Sequence, residues 1–230
     1  LAGSDRRKIR SNEAALKYFI TGSFTSALML FGIGLLYAVN GSLAIHNPAH
    51  ESSFLSNIAY LFLFTAFALK VAVVPFHFWA PDVYEGTPTL FTALMASLVK
   101  VASVGAFFRI VQLNHELFPD WMNWYFAFLI LLTLIFGNLF ALQQRSAKRL
   151  LAYSGIVQAG FILMGFIELQ AGQEWPILYY FVAYVLASLV CFIVVHFVET
   201  NSGTDDLDAF AGLSKSNPTL AWVMTIALVS

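Results

Sequence analysis

The sequence predicts an all-α polytopic membrane protein in which one helix is broken by proline, and three observations predict it. The first is composition: 59% of residues are apolar, 16% aromatic and only 11% charged, with a mean hydropathy of +0.75. Soluble domains carry about 25% charged residues. The second is that the apolar residues gather in runs of about 20, the length that carries a helix across a hydrocarbon core. Backbone groups in lipid must be bonded within their own segment or by closing a barrel, so runs of this length and continuity read as helices. The third is Pro75, inside one such run, where it removes a backbone donor and crowds the preceding turn.

Six complete spans and the start of a seventh can be drawn, at 16–39, 54–79, 89–111, 124–142, 150–166, 176–198 and from Pro218 onward, within one transmembrane domain covering 1–230. Leu1 is not an initiator and the last apolar run stops at Ser230, so the chain reads as the interior of a longer protein. Its charged opening, Asp5-Arg-Arg-Lys-Ile-Arg10, is followed by a run too long for a signal peptide. With the segment before the first span on the cytoplasmic side, Arg6, Arg7, Lys8, Arg10, Arg145, Lys148, Arg149 and Lys215 all fall there, and Arg109 falls near the other face. That topology satisfies the positive-inside rule and its inverse violates it.

Taken in order, the first span carries Gly22, Ser23, Ser26, Gly32 and Gly34, small residues suited to close helix packing. Lys17 follows Glu13 by four positions; an interfacial ion pair and a functional role are both open on that spacing. His46 and His50 in the next loop lack a third ligand, so no metal site is expected there. His115 beside Glu116, and His196 near Glu199, read as interfacial. Trp79, Trp121, Trp124, Trp175 and Trp222 mark span ends. The acidic loop 201–208 lacks the glutamate of a calcium loop. Cys191 is single, which excludes a disulfide framework and fits a small buried hydrophobe. Nothing resembles a phosphate loop, a nucleophile elbow, a thiol redox pair or a haem or iron–sulfur ligand set, so any chemistry must come from ionisable groups inside the membrane.

Two such groups stand out. Lys70 lies about sixteen residues into the second span and Lys100 about a dozen into the third, too deep to snorkel easily to an interface. A charge at that depth costs at least ~2.5 kcal/mol on insertion scales, so these side chains should face protein or water and serve a function. A buried lysine can be poised to gain and lose a proton, as a relay requires. Thr92, Ser97 and Ser103 fall along a helical stripe with Lys100, and His77 follows Lys70 by seven residues, on the same face if the helix continues. Pro75 should kink or unwind that helix beside its lysine, and irregular backbone at depth is tolerated where it lines a cavity. On the fifth span Tyr153, Ser154 and Gln158 offer either interhelical hydrogen bonds or relay positions. A faint echo links Lys70-Val-Ala-Val-Val to Lys100-Val-Ala-Ser-Val.

The run Lys70-Val-Ala-Val-Val-Pro-Phe-His-Phe-Trp-Ala-Pro-Asp-Val-Tyr-Glu-Gly-Thr-Pro88, with Lys100 and Lys148-Arg-Leu-Leu-Ala-Tyr-Ser154, closely resembles the antiporter-like subunit N family of respiratory complex I, NADH–quinone oxidoreductase. The opening Glu13-Ala-Ala-Leu-Lys-Tyr18 looks like the start of that family's sixth helix. The resemblance covers essentially the whole chain. Its Pro-Asp-Val-Tyr-Glu-Gly hairpin separates it from sister subunits and sodium/proton antiporters, which tend to read Pro-Asp-Ala-His there.

The resemblance implies an antiporter-like transmembrane helix bundle, of which this chain would be the sixth helix to the start of the twelfth. Lys70 would be the key lysine of the broken seventh helix, Lys100 the connecting lysine of the eighth, Lys17 the lysine opening the sixth, and His77 the histidine ending the break. Gln158 stands where the tenth helix usually has a histidine, so it could act only through its amide and water. The family's fifth-helix glutamate and twelfth-helix lysine would lie outside these residues. The implied function is proton translocation through Lys70 and Lys100, with Pro75 breaking the helix and Ser97, Ser103, Tyr153 and Ser154 lining the path. It would be coupled to NADH-to-quinone electron transfer in other subunits. This chain would hold no cofactor; FMN, iron–sulfur clusters and quinone would belong to partner subunits. Its partners would be other membrane and redox subunits, lipid and protons, with no nucleic acid, in a bacterial inner membrane. A cation/proton antiporter subunit and an assembly scaffold are the rival expectations.

Overall fold

The computed structural model describes residues 2–5, 8–44, 53–114, 118, 121–167 and 175–229. His46, His50, His115 and Glu116, together with Arg6 and Arg7, lie outside them. The order is α1 (Ile9–Asn40), α2 (Phe54–Val71), α3 (Trp79–Gly86), α4 (Thr89–Leu94), a π turn (Met95–Val99), α5 (Lys100–Asn114), α6 (Trp121–Ala141), α7 (Ala147–Ile167), α8 (Trp175–Ser202), a 3₁₀ turn (Leu207–Phe210), α9 (Leu213–Ser216) and α10 (Pro218–Val229). Among the described residues six helical spans are long and apolar enough to cross a membrane, α4 to α5 counting as one of 26 residues, with α10 a shorter apolar helix. The predicted spans are present, with two boundaries moved by more than about a turn: the first helix begins at Ile9 and not at Leu16, and the second ends at Val71 and not at Trp79.

The reason is Pro75. Continued helix would press its ring against the carbonyl of Val71 and hold Val74 in the region disfavoured before proline. The chain therefore leaves the helix one turn early. Ala72 turns left-handed at φ 62°, its amide reaching back to Leu69, and Val73 N–H donates to the Ala68 carbonyl at 2.9 Å. Two side chains complete the break: the Trp79 indole donates to the Leu69 carbonyl at 2.9 Å, and the buried Thr133 hydroxyl of α6 accepts from Val74 N–H at 3.1 Å. Trp79 thus caps a broken helix inside the protein, beyond the span-marking role its residue type suggests.

An aromatic core fixes α2 against α5, α6 and α7. Phe64, Phe107 and Phe126 pack with ring centroids 5.2–5.9 Å apart, and Phe107 meets Phe166 edge-on at 4.8 Å. Such tilted pairs add to the free energy of burying the rings. Of the small residues of α1, only Gly32 meets α2 closely: a Cβ there would lie 2.9 Å from Leu63 and 3.0 Å from the Ala59 carbonyl. Gly22, Ser23 and Ser26 line a groove, and Gly34 has open space around it. The packing predicted for α1 therefore rests on Gly32 alone among them.

The polar hairpin is itself helical. In α3, Ala80, Pro81, Val83 and Tyr84 are buried between α1 and α7, and Asp82 and Glu85, three apart, share the opposite face. Residues 145–147 and 205–207 are joined through the Ala147 N–H to Asp205 carbonyl bond, 2.8 Å, and the Leu207 N–H to Arg145 carbonyl bond, 2.8 Å. The start of α1, α3, the α6–α7 turn and the α8–α9 connection thus gather at one end, as the basic-residue pattern predicts.

Candidate functional site

Lys70 occupies the last turn of α2, where the backbone turns away. A lysine at a helix C-terminus meets carbonyls with partial negative charge. Its side chain borders a groove of about 780 Å³ between α1, Trp79 and the π turn, lined also by Thr21, Thr25, Leu98 and Val99. Among the described residues Lys70 has no hydrogen-bond or ion-pair partner.

The break changes the neighbours expected for it. His77 does not continue the Lys70 face, because the helix that would align them ends at Val71. His77 is buried, its ring 6.0 Å from Phe140 and 6.3 Å from Tyr153, and its Nδ1 has no hydrogen-bond partner among the described residues. Tyr153 is therefore a neighbour of His77.

Lys100 is held differently. It opens α5, directly after the π turn, and is 5% exposed. Its ammonium donates to the Gly155 carbonyl of α7 at 2.6 Å and to the Tyr184 hydroxyl of α8 at 3.3 Å, with the Tyr184 ring centroid 5.5 Å away. The π turn sets this orientation. In an unbroken α-helix Thr92 and Ser97 would differ by about 140° in direction, whereas absorbing one extra residue brings them to within about 40°. Thr92, Ser97, Lys100 and Ser103 are accordingly all buried. The hydroxyls bond backbone carbonyls: Ser97 to Ala93 at 2.6 Å, Ser103 to Val99 at 2.7 Å and Thr92 to Tyr84 at 3.1 Å. Met95, Leu98 and Val99 of the same segment face the Lys70 groove, so the π turn stands between the two lysines. One helical turn beyond Gly155, Gln158 accepts a hydrogen bond from the Tyr180 hydroxyl; Ser154 is half-buried on the same stretch.

Lys17 joins a charged cluster at the end of the bundle. It contacts Glu13 at 2.6 Å and Asp82 at 2.5 Å. Arg149 bridges Asp82 at 2.8 Å and Glu85 at 2.9 Å, and Arg10 reaches Glu85 at 3.2 Å. Three cations thus face three carboxylates. Burial pushes the Asp82 carboxyl up, but the Lys17 ammonium and Arg149 guanidinium outweigh it and hold the group below the ordinary carboxylate range. Nearby, the buried Lys148 pairs with Glu199 at 3.1 Å, which also accepts from Thr89. Glu199 thus ties α4, α7 and α8 together, a role beyond the interfacial one expected near His196. Sequence reasoning singled out Lys17 and missed Asp82, Glu85, Arg149, Lys148, Glu199, Gly155 and Tyr184. The three-residue spacing of Asp82 and Glu85 was the one available signal, once the hairpin is read as helix.

A bundle of membrane-spanning helices, one broken beside a lysine unpartnered among the described residues and the next carrying a buried one, defines a membrane protein of the antiporter-like class. The family described as NADH:quinone oxidoreductase/Mrp antiporter, TM, matches residues 1–230. The chain belongs to that family. It is 41% identical over 232 residues to an NADH-quinone oxidoreductase subunit N from Cytophaga hutchinsonii, with 100% of this chain and 51% of the relative covered. It is 42% identical over 244 residues to one from Flavobacterium johnsoniae, with 100% and 52% covered. The chain spans about half the length of the curated relatives it matches. A chain of respiratory complex I from Thermus thermophilus superposes with a TM-score of 0.84 at 34% identity, covering 98% of this chain and 49% of that one. A chain of the Mrp complex from a Dietzia species superposes at 0.87 with 23% identity, covering 95% and 41%, a likeness of fold alone.

Proposed function

We propose that this chain belongs to the proton-translocating part of an NADH–quinone oxidoreductase, in a bacterial inner membrane, and that Lys70 and Lys100 carry protons within it. Electron transfer would take place in other subunits, which would hold FMN, iron–sulfur clusters and quinone. The observation that carries the reading is Lys70, in the last turn of an apolar helix, beside a backbone break, open to a groove and without a partner among the described residues. A cation kept at such a cost is there to interact with something that changes. Lys100, on the far side of the π turn, supplies the next proton-holding group, and the subunit N relatives supply the redox partner.

The test is Lys70→Ala in the complete subunit within its assembled complex. Proton pumping per electron in membrane vesicles is expected to collapse while the complex still assembles; undiminished pumping would overturn the reading. The family description also covers antiporters, and a cation/proton antiporter would use the same lysines without electron transfer. Purification separates the two, because flavin and iron–sulfur absorbance should accompany the complete subunit only in the oxidoreductase.

A further inference from the structure

Among the groups packed around the two lysines, Tyr184 has no part in the sequence reading, yet it is one of two groups among the described residues that bond the Lys100 ammonium. Its hydroxyl oxygen accepts from Nζ at 3.3 Å and its ring lies 5.5 Å from the cation. The second acceptor is a backbone carbonyl, Gly155 at 2.6 Å, and the glycine is what lets both groups approach. A Cβ at position 155 would lie 2.7 Å from Nζ and 2.7 Å from the Tyr184 hydroxyl, closer than either could remain. Three helices thus meet at one point, α5 giving the cation, α7 a carbonyl with space beside it, and α8 a phenol. One turn along α8, Tyr180 donates to Gln158, so the same face carries a second phenol bonded to the same neighbouring helix.

We propose that Tyr184 is a positioning residue for Lys100, holding its ammonium against the Gly155 carbonyl and directing the proton path from Lys100 toward the Tyr180–Gln158 pair. The chemistry fits. A phenol accepts a hydrogen bond from an ammonium and can donate through its own O–H, and its ring face attracts the same cation. A phenylalanine keeps the ring and loses only the hydroxyl. Gln158 neither gains nor loses a proton in the ordinary range, so the phenol hydroxyls on α8 supply the exchangeable O–H that its amide does not. The proposal rests on the proton-path reading above and assigns a further residue to it.

The experiment places Tyr184→Phe and Lys100→Met separately in the complete subunit of the assembled complex and follows proton pumping per electron in vesicles across pH. A hydrogen bond to a charged group contributes roughly 1.5 kcal/mol, about one pH unit. Tyr184→Phe is therefore expected to move the alkaline limb of the pumping profile about one unit toward neutrality, with assembly retained, a change that loss of packing alone would not produce. If Lys100→Met stops pumping and Tyr184→Phe leaves the profile where it was, the Tyr184 proposal fails and the proton-path reading stands. If Lys100→Met pumps normally, the reading fails and takes the proposal with it. Should Tyr184→Phe not assemble, wild-type complex with ring-deuterated tyrosine is compared with its Lys100→Met variant by infrared difference spectroscopy. A phenol band that responds to loss of the lysine supports the contact, and an unchanged tyrosine spectrum overturns it.

Discussion

Lys70 and Lys100 begin nearly the same pentapeptide, Lys-Val-Ala-Val-Val and Lys-Val-Ala-Ser-Val, and the fold treats them in opposite ways. After Lys70 the helix ends and the alanine two positions on turns left-handed; after Lys100 the helix runs on through Asn114. The difference comes from what flanks them. Pro75 stops the first helix from downstream, while a π turn immediately upstream re-aims the second. Lys70 is left at a helix end facing a groove with no partner among the described residues, and Lys100 is enclosed by a carbonyl and a phenol. A cation facing a groove and a held one, adjacent in the bundle, form an asymmetric pair. Local sequence similarity said nothing about that asymmetry.

The asymmetry can be broken at four points. Lys70→Ala should have the largest effect, reducing pumping to that of an uncoupled membrane. Gly155→Ala should follow: the added methyl displaces both Lys100 and Tyr184, costing about 1–3 kcal/mol of stability by overpacking and lowering pumping in vesicles more than it lowers assembly. Thr133→Val removes the acceptor for the buried Val74 N–H, with a loss of about 1–3 kcal/mol in thermal unfolding of the complete subunit in detergent. Thr133→Ser, which keeps the hydroxyl, should recover most of it. Asp82→Asn should be mildest, about 1 kcal/mol for a partly solvated ion pair. Because Asp82 titrates below its ordinary value in the folded chain, its contribution is complete above the unfolded carboxylate range, about pH 4. It fades as pH falls through the lower folded value. Acid unfolding curves of the wild type and Asp82→Asn should therefore converge at low pH and separate toward neutrality; curves that run parallel would remove Asp82 from the cluster.

Much of this fold could be read directly. Apolar runs of spanning length and the basic residues placed the helices and gathered their ends, because both signals are local and additive. The two lysines stood out because charge in lipid is costly wherever it occurs. Pro75 announced a break, but the groups that satisfy the freed backbone, the Thr133 hydroxyl from α6 and the Trp79 indole just past the break, could not be foreseen from it. Because the helix ends at Val71, the expected alignment of His77 with Lys70 fails. Gly155 and Tyr184 were illegible. A glycine in a membrane helix and a tyrosine in an apolar run have many explanations, and only the meeting of three helices selects one.

The π turn carries one more consequence, concerning insertions and deletions. The span from Thr89 to Asn114 has 26 residues, about six more than a membrane crossing requires, so losing one of them would not shorten it below use. Deleting one residue within Met95–Val99 would take out the extra residue that the π turn absorbs and leave an unbroken α-helix with Thr92 and Lys100 still in phase. Adding a residue there would instead rotate one half of the helix against the other by about 100°, and with Thr89 keyed to Glu199 and Thr92 to α3, Lys100 would swing out of its cage. The segment thus tolerates the loss of one residue and not the gain of one.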